Sequence, residues 1–302
     1  MKKKGFTLIE LLVVISIITL LLAIGTPAMF AARRTVSGLR QRCQLRDVEM
    51  GLEFWYNEQD NDYPDSEAQI GSGGLVTTGA NHLAEALMGR DSRGFDSNSS
   101  WNADDDFGAT PMPYDPTIIT PDRENIYLDS EGVRGYQMAQ IYNYSVDPTS
   151  TGDCYPGDTD DAGTDLSTTY SQAVVLTDTF TKKRIVMPES GETVKIGSPI
   201  LYFKAKNTDI FNSTDYDVSV FNYYDNERIF DLGNNLDVAE RHPFEDVGTG
   251  IDDFYNSLID PKMRIGAGSD PIPYNRDSYI LISAGYDGLY GTSDDVTNIS
   301  KR

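Results

Sequence analysis

From Phe6 to Ala32 almost every position is apolar, and Glu10 is the only charge before Arg33. That run exceeds the roughly 20 residues a helix needs to cross a bilayer, so a membrane-spanning helix is predicted over 6–32. Beyond Arg34 the pattern becomes one-sided. Val36, Leu39 and Cys43, then Leu45, Val48, Leu52 and Trp55, recur at three- and four-residue steps, which continues the same helix as an amphipathic one over 33–57. Gly38 and Gly51 each weaken it by about 1 kcal/mol relative to alanine. Polar turn formers from Asn57 to Pro64 end it. Cys43 reads as a small packing residue of this helix.

Further along, His82–Gly89 reads as a short helix closed by glycine. Clusters of Asp, Asn, Ser, Gly and Pro from Asp91 to Asp165 predict long loops. Strand-like runs follow at Gln172–Thr177, Arg184–Met187, Thr193–Ile196, Ile200–Ala205, Val218–Tyr224 and Ser278–Ser283. No repeat at solenoid spacing interrupts them. The fold class predicted is α+β, with the long N-terminal helix packed on an antiparallel sheet and a large loop-rich insertion over about 91–270.

The chain has 302 residues and is 39% hydrophobic, enough for a packed body. Its 47 acidic against 25 basic residues give a net charge of −22, which repels phosphate backbones and argues against nucleic acid as a partner. Cys43 and Cys154 are the only cysteines, too few for a disulfide scaffold or a four-thiolate metal site; whether they pair is open on sequence grounds. No His-Glu-x-x-His, Gly-x-Ser-x-Gly, P-loop or dinucleotide fingerprint is present, and His82 and His242 stand alone. Enzyme activity is therefore not expected.

A carboxylate inside a membrane helix costs about 2.5–3.5 kcal/mol on insertion scales, so Glu10 calls for a partner. Cleavage between Gly5 and Phe6 would create an ammonium at Phe6 that could pair with Glu10 of a neighbouring chain. A signal-peptide cut near Gly25–Ala32 fits the small residues there but leaves Glu10 unexplained. Charge alone gives no topology, because Lys2, Lys3 and Lys4 oppose Arg33, Arg34, Arg40, Arg42 and Arg46 on the other flank.

The segment Lys2-Lys3-Lys4-Gly5-Phe6-Thr7-Leu8-Ile9-Glu10-Leu11-Leu12-Val13-Val14-Ile15 resembles the prepilin peptidase recognition segment of type IV pilins and type II secretion pseudopilins. The resemblance implies a leader at 1–5, cleavage after Gly5, methylation of Phe6, a subunit-aligning role for Glu10 and a helix-bending role for Pro27. It also implies a single-pass protein of the bacterial inner membrane, N-terminus cytoplasmic, with residues 58–302 exported to the periplasm as a type IV pilin-like body. Implied partners are the prepilin peptidase, further copies of the chain with minor pseudopilins, an inner-membrane secretion platform and membrane lipid. Gly51–Tyr56 with Asp60–Pro64 resembles the helix end of the major pseudopilin, and the predicted helix at His82 is placed like one in that family. Element by element, the likeness covers roughly the first 90 and last 25 residues.

Near the C-terminus, Tyr279–Ser283 reads as a buried strand that runs into a glycine-hinged loop with Asp287 at one end and Asp294 and Asp295 at the other. Closing the loop crowds like charges, which a cation between them would relieve. This segment resembles the calcium loop of the major pseudopilin, and the resemblance makes Asp287, Asp294 and Asp295 candidate Ca2+ ligands. The loop Asp158–Asp165 begins like an EF-hand but has Ala162 where an oxygen ligand is needed and Thr169 in place of the closing glutamate, so it is read as a solvated loop. The function expected is a structural subunit of a type II secretion pseudopilus. The alternatives are a type IV pilin for adhesion or motility and, from a different class, a membrane-tethered calcium-binding domain.

Overall fold

A computed structural model describes residues 8–70, 76–101, 113–114, 123, 125–128, 133–141, 173–180, 183–186, 191, 193–208, 211, 218–233, 242–245, 249–264 and 271–299. Helix α1 spans Leu8–Glu58, 51 residues without a break across Pro27, and at 1.5 Å per residue is about 77 Å long. Every described residue of its first half is exposed. From Gln41 onward one face is buried, through Gln44, Leu45, Val48, Gly51, Leu52 and Trp55. The packing helix is α2, Gly79–Met88, which supplies Leu83 and Leu87. A Cβ on Gly51 would come within 3.2 Å of both the Leu87 side chain and the Tyr127 carbonyl. The glycine that weakens α1 is thus what lets α2 approach it.

Helix α2 begins three residues earlier than the sequence predicts, because Asn81 Oδ1 accepts from both the amide and the hydroxyl of Thr78 at 2.9 Å. Asn226 accepts from the Ala80 amide at 2.9 Å and donates to the Tyr202 carbonyl at 2.7 Å, docking the helix start on the sheet.

The strands in chain order are β1 Gln69–Ile70, β2 Val76–Thr77, β3 Gly135–Gln137, β4 Val174–Leu176, β5 Lys183–Val186, β6 Thr193–Ile196, β7 Leu201–Lys204, β8 Ile259–Arg264, β9 Pro271–Pro273, β10 Tyr279–Ser283 and β11 Val296–Thr297. Every described ladder is antiparallel. Among the described residues they form separate small sheets rather than one large sheet. The largest, in the order β11-β10-β7, has β10 at its centre.

Strands β7 and β10 are buried on both faces, which explains their unbroken apolar runs. On one face Tyr202, Tyr279 and Leu281 join Leu45, Val48, Leu52, Leu83 and Leu87 in a core against α1. On the other, Phe203, Ile280 and Ile282 join Phe221, Phe230, Phe244, Phe254 and Tyr290 in a second, aromatic core. Strand β7 thus enters the central sheet from within the stretch read as an insertion.

Two expectations are corrected. Val218–Tyr224 is not a strand: the Asn222 side chain accepts from the Tyr224 amide at 3.1 Å and caps a 3-10 turn over Tyr223–Asp225. A side chain that satisfies the local amide offers the backbone an alternative to a ladder. Cys43 is not a packing residue but an exposed free thiol, because it lies on the side of α1 turned away from α2. Cys154 and the loop Asp158–Asp165 lie outside the described residues.

Candidate functional site

Gly5 and Phe6 lie outside the described residues. Glu10 sits in the first turn of α1, exposed between Leu8, Ile9, Leu11 and Leu12. The other polar groups of this stretch turn inward on the helix: Ser16 donates to the Leu12 carbonyl at 2.8 Å, Thr19 to Ile15 at 2.8 Å and Thr26 to Leu22 at 2.7 Å. Hydroxyls bonded in this way place no unsatisfied donor in hydrocarbon. The helix is long and apolar enough to cross a membrane, with a mean hydropathy of 2.8 over its best window.

The C-terminal aspartates come together in the loop from β10 to β11. Asp294 is the organiser: its Oδ2 accepts from the amides of Tyr286 at 2.7 Å and Asp287 at 3.1 Å, and its Oδ1 from the Thr292 hydroxyl at 2.7 Å. Asp295 accepts from the Gly291 amide at 2.8 Å, and Asp287 from the Leu289 amide at 2.8 Å. Gly285 has φ +64°, and a Cβ there would lie 2.4 Å from the Asp294 carbonyl oxygen, so the tight return of the loop requires glycine.

Burial raises the Asp287 carboxyl above its usual range, and the Asp294 charge adds to the effect. Burial also pushes Asp295 up to about 7, reinforced by the charges of Asp287 and Asp294. For Asp294 burial works in the same direction, but hydrogen bonds from Thr292, Asp287 and Tyr286 outweigh it and hold that carboxyl low. An all-oxygen donor set of crowded carboxylates suits a hard cation. As folded, however, the carboxylates spend their oxygens on donors of the loop, and the described residues contain no group of three acids, imidazoles or thiols placed to enclose a metal ion.

Sequence reasoning missed how this loop meets the helix. Arg34 lies over the Tyr286 ring at 4.6 Å, and the loop thereby reaches the end of α1's apolar half. Both histidines are structural. His82 is fully buried between the Asp65 carbonyl and the Thr77 hydroxyl, and His242, lowered to about 4 by burial, accepts from the Tyr290 amide at 3.1 Å.

Residues 1–26 match the prokaryotic N-terminal methylation motif. The chain is also 41% identical over 78 residues to the type IV wide pilus major component PilA4 of Thermus thermophilus. That region is 26% of this chain and 59% of the relative, so the likeness spans little more than half of the known protein. No solved structure matches the chain.

Proposed function

We propose that the chain is a structural filament subunit of the type IV pilin and pseudopilin kind, cut after Gly5 and polymerised through α1, a reading supported by the methylation motif at residues 1–26 and the likeness to a pilus component. The observation that carries this reading is a helix whose apolar first half is left uncovered by its own body and bears one acid, Glu10. Before assembly that half holds the protein in the inner membrane with residues 1–5 cytoplasmic and the body on the far side. Copies, lipid and the peptidase are its partners on this reading.

Two specific observations favour different filaments. The aspartate loop at Asp287, Asp294 and Asp295 supports a secretion pseudopilus, served by minor pseudopilins and an inner-membrane platform. The likeness to a wide-pilus component supports a surface pilus. Immunogold microscopy of native cells separates them, since long filaments outside the cell belong only to the second.

Mature protein is expected to begin at Phe6, because the lysine-rich leader, Gly5 and the apolar run form one processing signal. Mass spectrometry of native material checks it. An intact Met1 would favour a membrane-tethered domain that is never polymerised, and a cut near Ala32 would reduce the apolar run to a signal peptide.

Calcium at the C-terminal loop is the second part of the proposal. The loop joins β10 to β11 and touches α1 through Tyr286, so a bound cation would hold sheet and helix together. A ligand specific for the folded state adds about 2.7 kcal/mol at a hundred times its Kd, enough for a clear rise in Tm. The expected result is a higher Tm for the body from Arg34 onward in Ca2+ than in chelator, largely abolished by Asp287→Ala and untouched by Asp158→Ala. Equal melting in both conditions would leave the aspartates as a self-contained turn.

A further inference from the structure

Both tryptophans of the chain, Trp55 and Trp101, line one cavity of about 740 Å³ near the end of α1, within the roughly 300–1,000 Å³ span of small-molecule sites. Trp55 lies about 35 Å past Ala32 along the helix, so the cavity is far from the membrane half of the chain. Trp101 is held in the left-handed region at φ +64°, a strained conformation for a bulky side chain that persists only where its surroundings fix it. Here they do. Its amide donates to the Ser99 hydroxyl at 3.1 Å, its carbonyl accepts from the Thr77 hydroxyl at 3.0 Å, and its ring stacks on Phe95 with centroids 5.0 Å apart. The indole remains partly exposed, a rigid apolar wall that costs little entropy when a ligand lies on it.

The rest of the lining is polar and of both signs. Asp65 and Glu67 come from the segment after α1, Lys206 and Asn207 from the segment after β7, and Lys204 is ion-paired with Asp62 at 2.8 Å. Ser66 ties the two segments together, accepting from the Lys204 amide at 3.0 Å and donating to Asp225. Asp225 is 1% exposed, and the charges of Lys206, Asp65 and Glu67 all reach it, which puts its carboxyl behind this wall. Its Oδ1 accepts no hydrogen bond among the described residues. Folded proteins rarely leave a buried acceptor open, so this one marks a place for an incoming donor.

We propose that this cavity binds a short neutral oligosaccharide. The indole suits the C–H face of a sugar ring, while carboxylates, ammoniums and an amide side by side offer its hydroxyls both acceptors and donors. An anion would meet Asp65 and Glu67 in a chain of net charge −22, and a cation would meet Lys204 and Lys206. An uncharged, hydroxyl-rich ligand meets neither penalty. The site is built from one copy of the chain, so it stands apart from the filament reading.

The test uses the full chain in a detergent that has no sugar headgroup. Because both tryptophans line the cavity, indole fluorescence reports on it directly. Titration with cellotriose, maltotriose and triacetylchitotriose should give a saturable change for at least one of them, and glucose 6-phosphate and tetramethylammonium should give none. Glu67 and Asn207 are exposed, so Glu67→Ala and Asn207→Ala should keep the fold and each weaken binding about fivefold or more. Trp101→Ala should abolish binding in calorimetry, and the two exposed variants decide the matter if that protein does not fold. No saturable response to any of the three sugars at several millimolar, or binding undiminished in both exposed variants, would overturn the proposal. Saturable binding of the phosphate ester or the ammonium instead would overturn it in favour of a charged ligand.

Discussion

Glu10→Ala is expected to leave the protein in the membrane fraction and to remove almost all filaments. Taking a charge out of an apolar helix favours insertion, so the anchoring step does not suffer. Assembly should, because a carboxylate that costs about 2.5–3.5 kcal/mol in the bilayer interior would recover that cost on meeting the Phe6 ammonium that the proposed cleavage creates on a neighbour. Losing the pair removes a preference of roughly a hundredfold at every subunit added. The checks are fractionation for the membrane pool and shearing for the polymer pool. Filaments at the normal level would refute the pairing argument.

Glu85→Ala is expected to be the most damaging single change in the body. The Glu85 carboxylate is buried and accepts from Arg90 Nε at 2.8 Å, the Tyr114 hydroxyl at 3.0 Å and the Ser99 hydroxyl. The Tyr114 ring in turn carries the guanidiniums of Arg90 at 5.1 Å and Arg123 at 4.3 Å, so the network fastens the segment after α2 to the helix itself. Removing the acid takes away the buried carboxylate that faces Arg90, whose side chain is 2% exposed. Breaking one partner of such a pair costs about 3–5 kcal/mol, while replacing both by apolar groups of similar volume is often neutral. Urea unfolding of the body from Arg34 onward should show that loss for Glu85→Ala and much less for Glu85→Met with Arg90→Met. A single-variant loss below about 1 kcal/mol would mean that water reaches the pair.

The Glu85 network illustrates what could not be read in advance. Its partners come from Arg90, Ser99 and Tyr114, and nothing periodic marks them in a stretch rich in turn formers. Helix α1, by contrast, was legible as one continuous helix, because both its apolar run and its three- and four-residue stripe are local patterns. Strands β6, β7 and β10 were legible for the same reason, within a residue at their ends. Val218–Tyr224 misled because a β-rich composition says nothing of an asparagine poised to cap a turn. Cys43 misled because α1 has apolar residues on two sides, and only the placement of α2 decides which side is covered. The aspartate loop was legible as a cluster, but its internal division was not: Asp294 collects the amides while Asp287 and Asp295 are left with raised pKa values.

The sheet of β7 and β10 divides the body into a core that touches α1 and an aromatic core that does not. Selection should act on the two with unequal force. On the proposed filament reading, substitutions in the helix-side core would disturb the element through which copies join, so an altered subunit would impair the whole polymer. Substitutions in the outer core would be buffered by the intervening strands. Such an architecture would let the outer core drift while the assembly plan stays the same.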